Sequence, residues 1–150
     1  MSWDAGAADI NAALTSGELQ KVSGGQAAGQ AWIADARTKL ATARTIATTD
    51  PATAYITAYD SARFALVGLL AQQGLRATQR GGHLAVEHAT RAQFDTQFAE
   101  FATLRRRRAE LEYPRYAGEV VEPSEAGDAI KIADQIIGDA GLLLPHLPLF

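Results

Sequence analysis

The chain has 150 residues, of which 47% are hydrophobic and 21% are charged, and its formal net charge at pH 7 is −3. This length and composition are typical of one globular domain with a single core, residues 1–150. The absence of cysteine excludes disulfides, thiolate nucleophiles and cysteine-based zinc sites. The acidic balance excludes a general basic field, so any binding of nucleic acid must use a local patch.

Neither a membrane span nor a leader peptide is expected. The densest apolar stretch, residues 66–71, is far shorter than the roughly 18 residues that cross a bilayer. Residues 1–4 lack the basic and apolar regions of a signal peptide. We therefore expect a cytoplasmic protein that does not associate with membranes.

The first half of the chain predicts three helices. A short one covers residues 7–14, and the capping-box spacing of Ser23 and Gln26 predicts a second over about 26–47. Asp50, followed by proline, predicts the start of a third helix that reaches residue 73. That helix is apolar around most of its girth, which places it at the centre of a bundle. Gly74 then supplies the left-handed residue that ends it.

The second half predicts three more helices. One covers about 82–94, a second begins at Asp95 or Thr96 and ends near Tyr113, and Ser124 caps a last helix to about 141. The apolar tail, residues 143–150, either packs on the bundle or contacts a partner. No segment alternates with the period of a strand, so no sheet is expected. The predicted fold is all-α: an up-and-down four-helix bundle with one or two additional short helices.

The fifth predicted helix carries charges on its apolar stripe. At about 100° per residue, Arg105, Arg108 and Glu112 fall on the same line as Phe98 and Phe101. Arg108 and Glu112 also have the i, i+4 spacing of a helical ion pair. Burying an unpaired charge is costly, so these three side chains must be paired or must line a polar cleft.

Two interpretations of this charged stripe stay open. It is either a structural ion-pair network at the end of the bundle, with Asp35 or Asp60 as further partners, or a site for an anion such as an RNA phosphate. The remaining arginines of the run, Arg106 and Arg107, are interpreted as a solvated basic face.

The other candidates are weaker. His83 and His88 are five residues apart and cannot share a helical face as a metal-binding pair would. Arg76 and His83 have the spacing R-x6-H beside a Gly-rich loop, and Tyr59 is interpreted as a core residue. No cofactor or metal motif is present, so neither is expected.

Four stretches together resemble a known family. Residues 50–74 are similar to its second core helix, 79–83 to its basic loop with a histidine, 108–113 to its R-E-x-A-D-Y ending, and 123–126 to the opening of its last helix. In order and spacing, over about residues 27–142, they resemble the bacterial HEPN superfamily, in particular its small stand-alone, toxin–antitoxin-associated branch.

The resemblance implies an often dimeric bundle whose relatives are RNases or lie beside a nucleotidyltransferase-like antitoxin. RNase members carry R-x4-6-H at the dimer face. With Tyr113 matched to the final tyrosine, that arginine is Arg106 and the histidine position holds Leu111, so the motif is not intact. Arg108, Glu112 and Tyr113 match the branch pattern.

These observations lead to three functional hypotheses. The first is a homodimeric HEPN-like protein of a toxin–antitoxin or defence system that binds RNA or cleaves it without a metal. Its candidate catalytic residues are Arg105, Arg108, Glu112 and Tyr113. The second is a non-catalytic interaction module that assembles with a partner such as a nucleotidyltransferase-like antitoxin. The third is a bundle that binds a small ligand.

Overall fold

The computed structural model of the protein describes residues 3–115, 117 and 120–150. It is an all-α, up-and-down four-helix bundle with additional short helices, as the sequence predicts. Six α-helices lie in the described residues: α1 (Ala7–Ser16), α2 (Gln30–Ile46), α3 (Pro51–Gln72), α4 (Gly82–Phe94), α5 (Glu100–Glu112) and α6 (Pro123–Leu143). No helix among them is both long and apolar enough to cross a membrane.

Helix α3 is the central helix and contacts α2, α4, α5 and α6. It begins where the sequence predicts, because the Asp50 carboxylate accepts a hydrogen bond of 3.1 Å from the Thr53 backbone N–H and Pro51 occupies the first helical position. Its last residue is Gln72, and Gly74, two residues later, has a φ of +73°, the left-handed conformation that glycine adopts without strain and that ends a helix. Both predicted ends are therefore confirmed.

A small sheet is present, and its absence was wrongly predicted. Strands β1 (Leu19–Lys21) and β2 (Leu75–Ala77) pair antiparallel, with Gln20 opposite Arg76. Each strand has only three residues, which is too short for an alternating pattern to be visible in sequence. The pairing connects the segment after α1 to the segment after α3, so it depends on tertiary proximity.

Three predicted helix starts are also corrected. Ser23 makes no side-chain cap and precedes a short 3-10 helix, Gly24–Gln26; α2 starts later, where the Gly29 N–H donates to Gln72 Oε1 over 3.0 Å. Residues 95–98 form a 3-10 helix, so α5 starts at Glu100 and not at Asp95 or Thr96. Helix α6 begins at Pro123 because proline suits the first helical position, and Ser124 does not cap it.

The apolar tail packs on the bundle. Leu144 and Leu147 are buried, and the Phe150 backbone N–H donates a hydrogen bond of 2.9 Å to the Gln73 carbonyl oxygen. The sequence left open whether this tail packs on the bundle or contacts a partner, and the structure shows that these side chains pack on the bundle. Leu142 and Leu149 stay exposed.

Helices α2 and α3 approach closely at two glycines. A Cβ on Gly68 would lie 3.0 Å from both the Gly29 carbonyl oxygen and the Trp32 Cβ. Side chains larger than hydrogen would therefore separate the two backbones at this point. The contact places Trp32 beside Gly68 and Phe64 of α3.

Candidate functional site

Arg105 joins α5 to α4. Its Nε donates to the Glu87 carboxylate, and the Glu87 side chain is only 10% exposed. Removing either side chain of this ion pair would leave the other charge partly buried without a partner, and an unpaired buried charge destabilises the fold. The first arginine of the predicted stripe is therefore paired with a buried carboxylate of α4.

Arg108 and Glu112 form the predicted i, i+4 ion pair on α5. The Arg108 guanidinium carbon also lies 5.8 Å from the centre of the Tyr59 ring, within the range of a cation–π contact. Its Nε is buried and has no hydrogen-bond partner among the described residues. Arg108 therefore keeps an unused donor in spite of its carboxylate partner.

The same face of α5 carries the aromatic stripe. Phe101 is buried and stacks on Tyr59 with ring centres 5.3 Å apart, while Leu104 is fully buried. Arg105 and Arg108 follow these residues by one turn. The structure thus places both arginines beside the core, with about a quarter of each side chain exposed.

The remaining predicted residues lie elsewhere. Arg106 is exposed, as expected, but Arg107 is not part of a solvated face: it pairs with Glu125 of α6 at 2.6 Å and with Glu110 at 3.0 Å. Tyr113 directly follows α5 with 77% of its surface exposed, so it forms no part of the packed stripe.

The two suggested acidic partners do not join the α5 arginines in an ion pair. Asp60 lies 3.6 Å from the Nε of Arg63, on its own helix α3, and Asp35 lies on an exposed part of α2. The Arg63 Nε is buried and lacks a hydrogen-bond partner among the described residues, because 3.6 Å exceeds hydrogen-bond distance. Arg63 is thus a second arginine with an unused donor.

A buried tyrosine and a histidine meet beside these arginines. The Tyr59 hydroxyl is 2.8 Å from Nδ1 of His83, the second residue of α4. Tyr59 is fully buried, in agreement with its interpretation as a core residue, and His83 is the hydrogen-bond partner of its hydroxyl. The sequence did not connect His83 to α3, because 24 residues and a strand separate them.

Burial and charge set the protonation states of this pair. Burial raises the pKa of Tyr59 to about 12, so its hydroxyl stays protonated at neutral pH. Burial, and then the positive charges of Arg63 and Arg108, lower the pKa of His83 below its ordinary value of 6.5. His83 is therefore neutral at pH 7 and has one nitrogen lone pair that can accept a proton.

Four side chains from three helices thus form one cluster. The Tyr59–His83 cluster consists of Tyr59 and Arg63 on α3, His83 on α4 and Arg108 on α5. It combines two guanidinium groups that have unused donors with a neutral imidazole. Guanidinium groups bind phosphate through paired hydrogen bonds, and a neutral imidazole can act as a general base.

A groove opens beside the cluster and contains both members of the R-x6-H pair. It encloses about 210 Å³. Its lining residues are Trp32, Arg63, Val67, Arg76, Ala77, Thr78, Gly82, His83 and Val86. Arg76 comes from β2 and His83 from α4, so the turn between strand and helix brings them to one groove. The R-x6-H spacing was the only sequence signal for this arrangement, and Arg63 had none.

The described residues contain no preformed metal site. Within residues 3–115, 117 and 120–150, no group of three or more histidine, aspartate or glutamate side chains is arranged to hold an ion.

Comparison with known proteins identifies one family. The family model described as HEPN domain matches residues 30–142, which extend from the first residue of α2 almost to the end of α6. All four members of the Tyr59–His83 cluster lie inside the matched range. No curated protein and no solved structure matches the chain.

Proposed function

The chain belongs to the HEPN domain family, and on this premise we propose that it binds RNA at the Tyr59–His83 cluster and cleaves it without a metal ion. Its biological role in this proposal is that of a toxin in a toxin–antitoxin or defence system. The convergence of a neutral histidine with two arginines whose Nε donors are unused is the observation that carries the proposal.

Arg63 and Arg108 hold the scissile phosphate. Buried donors without partners are rare in folded proteins and are commonly satisfied by an ion or a ligand. Each of the two arginine side chains is 23% exposed, so a phosphodiester would accept from the exposed nitrogens of both guanidinium groups, whose buried Nε donors neither Asp60 nor Glu112 satisfies. Two guanidinium groups also stabilise the extra negative charge that develops on the non-bridging phosphate oxygens in the transition state.

His83 takes the proton from the 2′-hydroxyl. With the hydrogen on Nδ1, His83 donates to the Tyr59 oxygen, and the Nε2 lone pair stays available to the substrate. The 2′-oxygen forms a bond to phosphorus, the bond from phosphorus to the 5′-oxygen breaks, and water protonates the leaving oxygen. The products are a 2′,3′-cyclic phosphate and a 5′-hydroxyl.

The other predicted catalytic residues take supporting positions in this proposal. Arg105, through Glu87, fixes α5 against α4, and Glu112 orients the guanidinium of Arg108. Tyr113 stays a prediction, as an exposed residue at the end of α5. We also propose that the protein is a homodimer, which light scattering of the purified protein would measure.

The test is cleavage of a defined RNA in the presence of a chelator. We expect products that end in a 2′,3′-cyclic phosphate, and a loss of rate of at least about 100-fold in His83→Ala and in Arg108→Ala. His88→Ala and Arg106→Ala are matched controls, because both side chains are exposed on the same two helices. The controls should keep wild-type rates, and thermal melting should show that all four variants fold.

Two results would overturn the proposed activity. One is a wild-type protein that leaves RNA intact; the other is a His83→Ala variant that cleaves at the wild-type rate. Exposed Leu142 and Leu149 favour the second candidate, a non-catalytic module that binds a partner such as a nucleotidyltransferase-like antitoxin. An inactive protein that forms a stoichiometric complex with that partner would support it.

A further inference from the structure

The groove beside the cluster has an aromatic wall. Trp32 on α2 and Phe64 on α3 are both partly exposed, and their rings meet edge to face with centres 5.1 Å apart. Val67 continues this wall one turn further along α3. Phe64 does not line the groove itself but supports Trp32 through this ring contact. We call the groove lined by Trp32, Val67, Arg63, Arg76 and His83 the Trp32 groove.

Cations surround the aromatic wall. The Lys39 Nζ lies 4.7 Å and the Arg63 guanidinium carbon 5.0 Å from the centre of the Phe64 ring. Arg76, on β2, is exposed and lines the groove from the other side of Val67. This face is therefore locally basic although the whole chain is acidic.

We propose that the Trp32 groove binds an unpaired nucleobase of single-stranded RNA, stacked on Trp32, next to the phosphate held at the Tyr59–His83 cluster. This inference rests on the proposed function and names its substrate class. Interleaved aromatic and basic side chains are the usual surface for single strands, because every base offers a π-face and every nucleotide a negative charge. A base within a duplex has both faces covered, so it cannot enter.

The dimensions of the surface agree with this occupant. The Trp32 groove encloses about 210 Å³, enough for one base. A second groove of about 370 Å³ adjoins it and shares Trp32, Val67 and Arg76 with it, continuing toward Gly25 and Gln26. A strand with one base on Trp32 therefore has room for its next nucleotide, with Arg76 at the boundary between the two grooves.

Trp32 itself can report binding. The chain has two tryptophans, and Trp3 packs against Phe94 at the end of α4 remote from His83. In a Trp3→Phe protein, all tryptophan fluorescence comes from Trp32. The probe is a short 2′-O-methyl RNA, which cannot be cleaved, so binding is measured independently of catalysis.

We expect the single strand to quench Trp32 fluorescence and to bind at least about tenfold more tightly than the same sequence as a duplex. An abasic strand of equal charge should not quench. Trp32→Leu should weaken binding about tenfold, the size reported by substitutions at stacking aromatics, while Lys21→Gln, on β1, serves as a charged control with unchanged affinity. Thermal melting confirms that each variant folds.

The outcomes separate the two proposals. Equal quenching by the abasic strand, equal affinity for duplex and single strand, or unchanged affinity in Trp32→Leu would overturn the stacking site, whatever the protein does to RNA. Quenching by the single strand in a protein that never cleaves RNA would overturn the proposed cleavage and leave the binding site standing.

Discussion

The contact between α2 and α3 makes Gly29 the residue whose enlargement we expect to be most damaging. In Gly29→Ala, the new Cβ would overlap the Gly68 carbonyl group and lie 2.7 Å from Leu144 Cδ1. Ordinary contacts of a Cβ are 3.4–4 Å. The Leu144 side chain can move, but the backbone of Gly68 lies inside α3 and cannot, so the helices must separate.

The magnitude follows from this overlap. Forcing extra volume into a packed interface costs about 1–3 kcal/mol, and the rigid backbone neighbour places this substitution at the upper end, about 2–3 kcal/mol. Gly29 has φ −96° and ψ −15°, which alanine also adopts, so no backbone strain is added. Alanine also lowers the conformational entropy of the unfolded chain, and this effect raises the free energy of unfolding by at most about 1 kcal/mol.

Thermal and chemical unfolding would measure the effect. With that gain subtracted, the net loss is about 1–3 kcal/mol, which for a chain of this length corresponds to a fall in Tm of roughly 2–12 °C. The matched control is Gly127→Ala, because Gly127 lies inside α6 and a Cβ there meets nothing within 4 Å. The free energy of unfolding of Gly127→Ala should be about 0.5–1 kcal/mol higher than that of the wild type, because alanine favours the helix more than glycine does. A Gly29→Ala protein as stable as the wild type would refute the argument from close packing.

Two further predictions concern buried polar groups. Because the folded state lowers the pKa of His83, the unfolded chain binds more protons below pH 6.5, and stability should fall as pH drops below that value. Unfolding experiments should show the free-energy difference between wild type and His83→Asn shrinking from pH 7 to pH 5; a constant difference would contradict this. Gln73 and Gln93 exchange two buried amide hydrogen bonds, of 2.6 and 2.9 Å. Gln73→Leu should lower the free energy of unfolding by about 1–3 kcal/mol, because it leaves the buried amide of Gln93 without a partner. The double variant Gln73→Leu, Gln93→Leu should recover part of this loss in chemical denaturation, and a double variant less stable than the single one would contradict the prediction.

Much of the local structure was predictable because its causes are local. Asp50 caps α3 through the N–H of a residue three positions away, and Gly74 ends the helix through its own conformation. The stripe on α5 likewise follows from helical geometry, so the pairing of Arg108 with Glu112 was visible in their spacing.

The predictions that failed depended on distant residues. Ser23 has the correct neighbours for a capping box, yet α2 begins at Gln30, directly after Gly29, whose N–H is satisfied by a side chain of α3. The strands are too short to show a pattern, and their pairing joins segments more than 50 residues apart. Arg107 has an acidic partner on α6 that no spacing along α5 could indicate.

The amino-acid sequence by itself determined the helices, the two ends of α3, the all-α bundle and the charged stripe of α5, because these depend on spacings of a few residues. Only the tertiary structure decided which charges meet and which side chains form the Tyr59–His83 cluster. His83, Tyr59 and Arg63 come together because α4 folds back across α3 after a tight turn. The burial that raises the pKa of Tyr59 and lowers that of His83 exists only once the helices have packed.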